Sequence, residues 1–188
     1  MYMFAHCKSL TKAPELSATT LAPYCYLYMF DGCTSLTQAP ELPAMNLAER
    51  CYQDMFRNCT ALHILSNLPA TTLAESCYAG MFSGCVCITS DDLPELSATT
   101  LAPYCYQYMF DGCTGLTQAP SLPTTTLAAG CYRSMFTNCT NLTTAPELPA
   151  TTLADSCYTS MFDGCTGLTQ APSLPATTLT YSCYQMMF

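Results

Sequence analysis

The chain has 188 residues and few charges: Lys and Arg number 5, Asp and Glu number 13, and the net charge is −8. Because 50% of the residues are hydrophobic, the composition excludes intrinsic disorder. Five basic residues are too few for a surface that tracks nucleic-acid phosphates. No apolar run approaches the roughly 18 residues of a membrane span, and the first residues lack the basic and apolar regions of a signal peptide. The 15 cysteines leave three alternatives open, namely a disulfide scaffold, a metal protein and buried thiols.

The sequence is an internal repeat. The dipeptide Met-Phe recurs every 26 residues, with one step of 28 between Met81 and Met109, where we expect the extra residues at Asp91 and Asp92. A period of this length indicates a stack of structural units in which each unit contacts its neighbours. We therefore predict a single repeat array over residues 1–188, with about seven repeats and no polar capping unit at either end.

The first half of each repeat predicts a short strand. Leu36, Ala39 and Leu42 have the spacing of inward-facing residues, with polar residues between them. Pro40 and Pro43 lack the N–H that a strand ladder needs, so only two to four residues per repeat are expected to pair.

The second half predicts a helix of about three turns. Between residues 47 and 59, apolar residues occupy positions i, i+1, i+4, i+5, i+8 and i+9, which indicates an amphipathic helix. Predicted N-terminal capping pairs are Asn46 with Glu49, Thr72 with Glu75, and Thr152 with Asp155. Residues predicted to be left-handed at the helix ends are Gly32, Asn58, Gly84, Gly112, Asn138 and Gly164.

A short strand followed by a helix in each repeat predicts an α/β solenoid. Parallel strands stack at ~4.8 Å and helices at ~8–10 Å, so the coil should curve into a right-handed horseshoe. The strands would line its concave face and the helices its convex face.

The repeat unit resembles that of a known family. Its pattern, Met-Phe-x-x-Cys-x-x-Leu-x-x-Ala-Pro-x-Leu-Pro, runs from Met29 to Pro43 and recurs along the whole chain. It is similar to the BspA-type leucine-rich repeat of bacterial surface proteins. The resemblance implies an extracellular or cell-surface location and a role in adhesion.

The cysteines form two columns, and Cys87 lies outside both. We predict that the columns are buried thiols that pack as small apolar groups, with a few disulfides between repeats as the alternative. Zinc is disfavoured because the chain has no Cys-x-x-Cys pair. Cys87 is the candidate for a reactive surface thiol. One column is Cys25, Cys51, Cys77, Cys105, Cys131, Cys157 and Cys183; the other is Cys7, Cys33, Cys59, Cys85, Cys113, Cys139 and Cys165.

The sequence offers little for catalysis. His6 and His63 are expected to be exposed polar residues rather than bases, and no phosphate-binding glycine loop is present. We therefore predict no enzyme activity, no cofactor and no metal site. Tyrosines expected to be partly exposed beside the apolar stripe are Tyr24, Tyr28, Tyr104 and Tyr108.

The predicted function is a non-enzymatic interaction module, part of a surface or secreted adhesin that binds a protein or a glycan. The alternative is a spacer or stalk within a larger surface protein. Uncapped ends also suggest end-to-end self-association. Outward-facing strand positions should contact the partner, and we call them the contact rows. The first row is Lys12, Gln38, Ile64, Ser90, Gln118, Thr144 and Gln170, and the second is Glu15, Glu41, Asn67, Glu95, Ser121, Glu147 and Ser173.

Overall fold

A computed structural model describes residues 2–188, and in them regular secondary structure is scarce. The helical element in this range is one turn of 3-10 helix, Ser90–Asp92. Strand pairing in the same range consists of six isolated parallel bridges between neighbouring repeats. The prediction of an α/β horseshoe with convex helices and concave strands is therefore wrong.

The segment predicted to be helical is a ribbon of overlapping turns. In residues 22–33 alternate N–H groups donate to the carbonyl three residues earlier, as from Cys25 to Ala22 (3.3 Å) and from Met29 to Tyr26 (3.1 Å). Every fourth residue has a positive φ, for example 53° at Tyr28. Because a left-handed residue interrupts an α-helix, the segment forms successive β-turns. We call residues 22–33 and their equivalents in the other repeats the turn ribbon.

The remaining N–H groups of the turn ribbon bind the next repeat. Tyr26 N–H donates to the carbonyl of Cys51 and Phe30 N–H donates to that of Met55, both at 2.9 Å. In the same way, Tyr52 N–H donates to the carbonyl of Cys77 at 3.0 Å. An α-helix would use these donors within one repeat, whereas the turn ribbon uses half of them to join repeats in parallel.

The apolar stripe suits this ribbon as well as a helix, because its positions recur every four residues. Asn46, Thr72 and Thr152 are not helix caps, since each pairs with a neighbouring repeat in an isolated bridge. The prediction of left-handed glycine and asparagine residues is confirmed, with φ values of 57–74°. These six residues are Gly32, Asn58, Gly84, Gly112, Asn138 and Gly164.

The segment predicted as a strand pairs only locally. Gln38 bridges Ile64, and Ala39 N–H donates to the carbonyl of Ile64 at 2.8 Å. Pro40 follows and has no N–H to continue the ladder, so pairing stops. The 3-10 turn lies where the two additional residues were expected, and Thr89 N–H donates to Asp92 Oδ2 at 2.9 Å there.

The core consists of columns of identical side chains that stack from one repeat to the next. Phenylalanine rings from Phe4 to Phe188 are 5.5–5.9 Å apart with nearly parallel planes. Tyrosine rings from Tyr26 to Tyr184 form a second column at 5.6–5.9 Å. Leucine and methionine side chains fill the space around them, so each repeat buries its apolar face against two neighbours.

The cysteines in residues 2–188 are free thiols, and 12 of the 15 are buried. One column has a defined contact, because six of its seven thiols, all but Cys7, donate to the carbonyl of a phenylalanine in the preceding repeat. Cys59 Sγ lies 3.1 Å from Phe30 O, and Cys85 Sγ lies 3.0 Å from Phe56 O. Cys87 is exposed, as predicted, and so is Cys7.

This burial predicts two classes of thiol. Cys7 and Cys87 should react with a thiol reagent within minutes, and the buried thiols only after denaturation, because a reagent needs access to the thiolate. Ellman titration without reductant, before and after adding guanidinium, measures both classes. Cys87→Ser should remove one rapid thiol. Fewer than about twelve thiols in the denatured protein would contradict the thiol columns.

Candidate interaction surface

The contact rows lie on the surface of the stacked repeats. All members of both rows are exposed except Ser90, which is half-buried. Two pairs of neighbouring members of the first row are joined through their backbones, because Gln38 bridges Ile64 and Gln118 bridges Thr144. The Gln38 and Gln118 side chains are exposed, so they remain available to a partner.

Ser90 has an internal role instead. Its Oγ accepts hydrogen bonds from Gln118 N–H at 2.8 Å and Thr117 N–H at 3.1 Å, and it donates to Gln118 O at 3.1 Å. The Ser90 hydroxyl therefore takes the place of a backbone bridge such as those that join Gln38 to Ile64 and Gln118 to Thr144. Ser90 positions Gln118 rather than offering a free hydroxyl.

Two grooves open between repeats where the contact rows lie, and both rows line them. Groove one has a volume of about 480 Å³ and contains Lys12, Glu15, Gln38 and Glu41. Groove two has nearly the same volume, about 470 Å³. Its residues from the contact rows are Ser90, Glu95, Gln118 and Ser121.

The grooves are alike because the chain repeats itself there. Residues 15–43 and 95–123 differ at three of 29 positions. Each groove has walls of proline, leucine and alanine, with a glutamate, a glutamine and a serine among them. Apolar walls with a few convergent polar groups are typical of ligand-binding grooves.

Sequence reasoning missed the serines of these grooves, Ser17 and Ser97. In five of the seven repeats the inward leucine is followed by proline, and in the other two by one of these serines. The two grooves lie at those two repeats. A serine side chain is smaller than a proline ring and adds a backbone N–H. The break in the Leu-Pro pattern was a visible signal for the site.

The contact rows are acidic, since they contain four glutamates and one lysine. None of the four glutamates forms an ion pair within residues 2–188. An unpaired carboxylate at a groove wall favours a partner with positive charge.

The four tyrosines predicted to be partly exposed are partly or fully exposed in the structure. They lie at left-handed positions of the turn ribbon. Tyr24 contacts the next repeat through its side chain: its hydroxyl donates to Glu49 Oε1 at 2.6 Å, and the Arg50 guanidinium lies 5.6 Å from the ring centre. The hydrogen bond to Glu49 raises the pKa of Tyr24. The Tyr24, Glu49 and Arg50 side chains therefore bind one another, and these contacts join two repeats.

Other chemistry is sparse in the part of the chain that the structure describes. His6 is exposed and lies 3.8 Å from Asp31, and His63 Nδ1 lies 2.9 Å from the carbonyl of Ala61. Residues 2–188 contain no group of three or more His, Cys, Asp or Glu residues arranged to hold a metal ion. They also contain no helix of the length and apolarity required to cross a membrane.

Comparison with known proteins gives one match. A family model described as the BspA type leucine-rich repeat region matches six copies, at residues 1–113, 25–169 and 104–186. No curated protein and no solved structure matches the chain.

Proposed function

Because the chain belongs to the BspA-type leucine-rich repeat family, we propose that it is the interaction module of a surface or secreted recognition protein. Its partner is a protein, bound across the contact rows. The repeats act together as one array, since stacked repeats offer an extended surface that no single repeat contains.

The observation that carries this proposal is the pair of matching grooves on the contact rows. Each combines apolar walls with exposed glutamine and glutamate side chains, and together they extend over several repeats. The exposed Ile64 side chain, 47% accessible, adds an apolar contact between them. Aliphatic and amide groups at a shallow groove suit a protein interface.

A binding array tests the proposal. Purified protein is applied to extracellular-matrix and serum proteins, beside the double variant Gln38→Lys and Gln118→Lys. We expect binding to at least one protein and a loss of tenfold or more in the variant, because each lysine places a long charged side chain in a groove. The control, Gln107→Lys with Gln185→Lys, adds the same charge on the turn ribbon and should leave binding unchanged. Equal loss in both variants, or no binding at all, would contradict the proposal.

A second candidate function is a spacer within a larger surface protein. The unbroken columns of stacked rings favour it, because an even stack of identical contacts suits a rigid element. The same array distinguishes the two functions. A spacer should bind none of the immobilised proteins, and the groove variant should behave as the wild type does.

A further inference from the structure

We propose that each groove binds an arginine side chain of an extended partner segment, and that the two grooves hold one partner at two points. This inference rests on the proposed interaction function and names the chemistry of its partner. It depends on the charge, the walls, the free donors and the spacing of the grooves.

The charge of groove two favours a basic side chain. Glu95 lines it, no lysine or arginine does, and Glu95 forms no ion pair in residues 2–188. A guanidinium can donate two parallel hydrogen bonds to such a carboxylate. Glu15 has the same place in groove one, where Lys12 offsets the charge of a second glutamate, Glu41. Each groove therefore has one net negative charge available to an arginine.

The walls favour a peptide over a sugar. Leu93 and Pro123 line groove two, are partly or fully exposed, and offer apolar surface to the aliphatic stem of an arginine. No aromatic ring lines either groove, so a sugar has no flat π-surface on which to stack. The aliphatic part of an arginine can pack on proline and leucine while its guanidinium binds the Glu95 carboxylate.

Ser97 supplies donors for the backbone of the partner. Its N–H and hydroxyl have no hydrogen-bond acceptor within residues 2–188, and the residue is exposed. Five other repeats have proline at this place, which has no N–H. A carbonyl of an extended segment can therefore be bound here. Ser17 offers the same groups in groove one, because its sequence surroundings are the same.

The spacing of the grooves sets the spacing of the arginines. The grooves are three repeats apart, and the matching phenylalanine rings are separated by steps of 5.5, 5.9 and 5.8 Å. That span of roughly 15–17 Å corresponds to about four to five extended residues, and a spacing of four keeps both arginine side chains on one face of the segment. Two linked contacts bind more tightly than either alone when the linker matches the span.

Peptide titration tests this. A ten-residue Gly/Ser peptide with two arginines four residues apart is compared by calorimetry with a peptide of identical composition whose arginines are adjacent. We expect the spaced peptide to bind at least tenfold more tightly, and its affinity to fall as salt rises. Equal affinity of the two peptides, or binding of neither, would overturn the inference.

Two sets of variants locate the binding. Glu15→Gln with Glu95→Gln should weaken the spaced peptide at least tenfold. Ser17→Pro with Ser97→Pro should do the same while keeping the fold, because proline occupies this place in five other repeats. Glu75→Gln, at an exposed glutamate outside the contact rows and both grooves, is the control. Unchanged affinity in the groove variants, or groove-dependent binding to an oligosaccharide array, would overturn the inference. If the variants still bind array proteins as the wild type does, this inference fails and the interaction function stands.

Discussion

Replacing Phe82 with alanine is expected to lower the free energy of unfolding by about 3–5 kcal/mol, the usual cost of removing a buried phenylalanine. The ring is fully buried, with its centre 5.9 Å from that of Phe56 and 5.8 Å from that of Phe110. The substitution leaves a cavity and ends the phenylalanine column in the middle of the array. Urea unfolding followed by circular dichroism measures the change.

Phe188 provides the matched control. Its ring stacks on one neighbour, Phe162, at 5.7 Å, and it is 57% exposed. Phe188→Ala should therefore cost less than about 1 kcal/mol, as expected for an exposed position. Similar costs at the two positions would show that the phenylalanine column does not support the fold.

Alkaline unfolding is the second large effect. Burial raises the pKa of Cys51 to about 11 and those of Cys59 and Cys105 to about 12, above the ordinary thiol value of 9.0. Above pH 9 the unfolded chain loses thiol protons that the folded chain retains, so stability falls as the pH rises. Below that pH the contribution of the thiols to stability is fully present.

Several thiols act together, so the effect should be steep. Each contributes up to about 1.4 kcal/mol per pH unit once the unfolded chain is ionised. We expect the urea midpoint to be constant from pH 7 to 8 and to fall sharply by pH 10.5. Cys51→Ala with Cys59→Ala should flatten this dependence, because two of the thiols that ionise on unfolding are gone. A midpoint that does not change up to pH 10.5 would show that the thiols are accessible in the folded protein.

The exposure of the contact rows could be predicted from the sequence. The contact rows were placed by counting from the inward leucines, and that register is robust because a shift of one residue would expose Leu36 or Leu42. The grooves could not be predicted in the same way. Each has walls from two repeats, such as Leu96 and Pro120, and its depth depends on how closely those repeats stack.

The repeat, the family, the buried columns and the left-handed glycines and asparagines all follow from the sequence alone. These features depend on identical residues that recur at one spacing, and on the φ that glycine and asparagine tolerate. That residues 47–59 form turns rather than a helix is visible only in the contacts between repeats. An apolar stripe with a four-residue spacing satisfies a helix and a turn ribbon alike. What separates them is a hydrogen bond such as that from Tyr52 N–H to the carbonyl of Cys77, which joins residues that no local pattern relates.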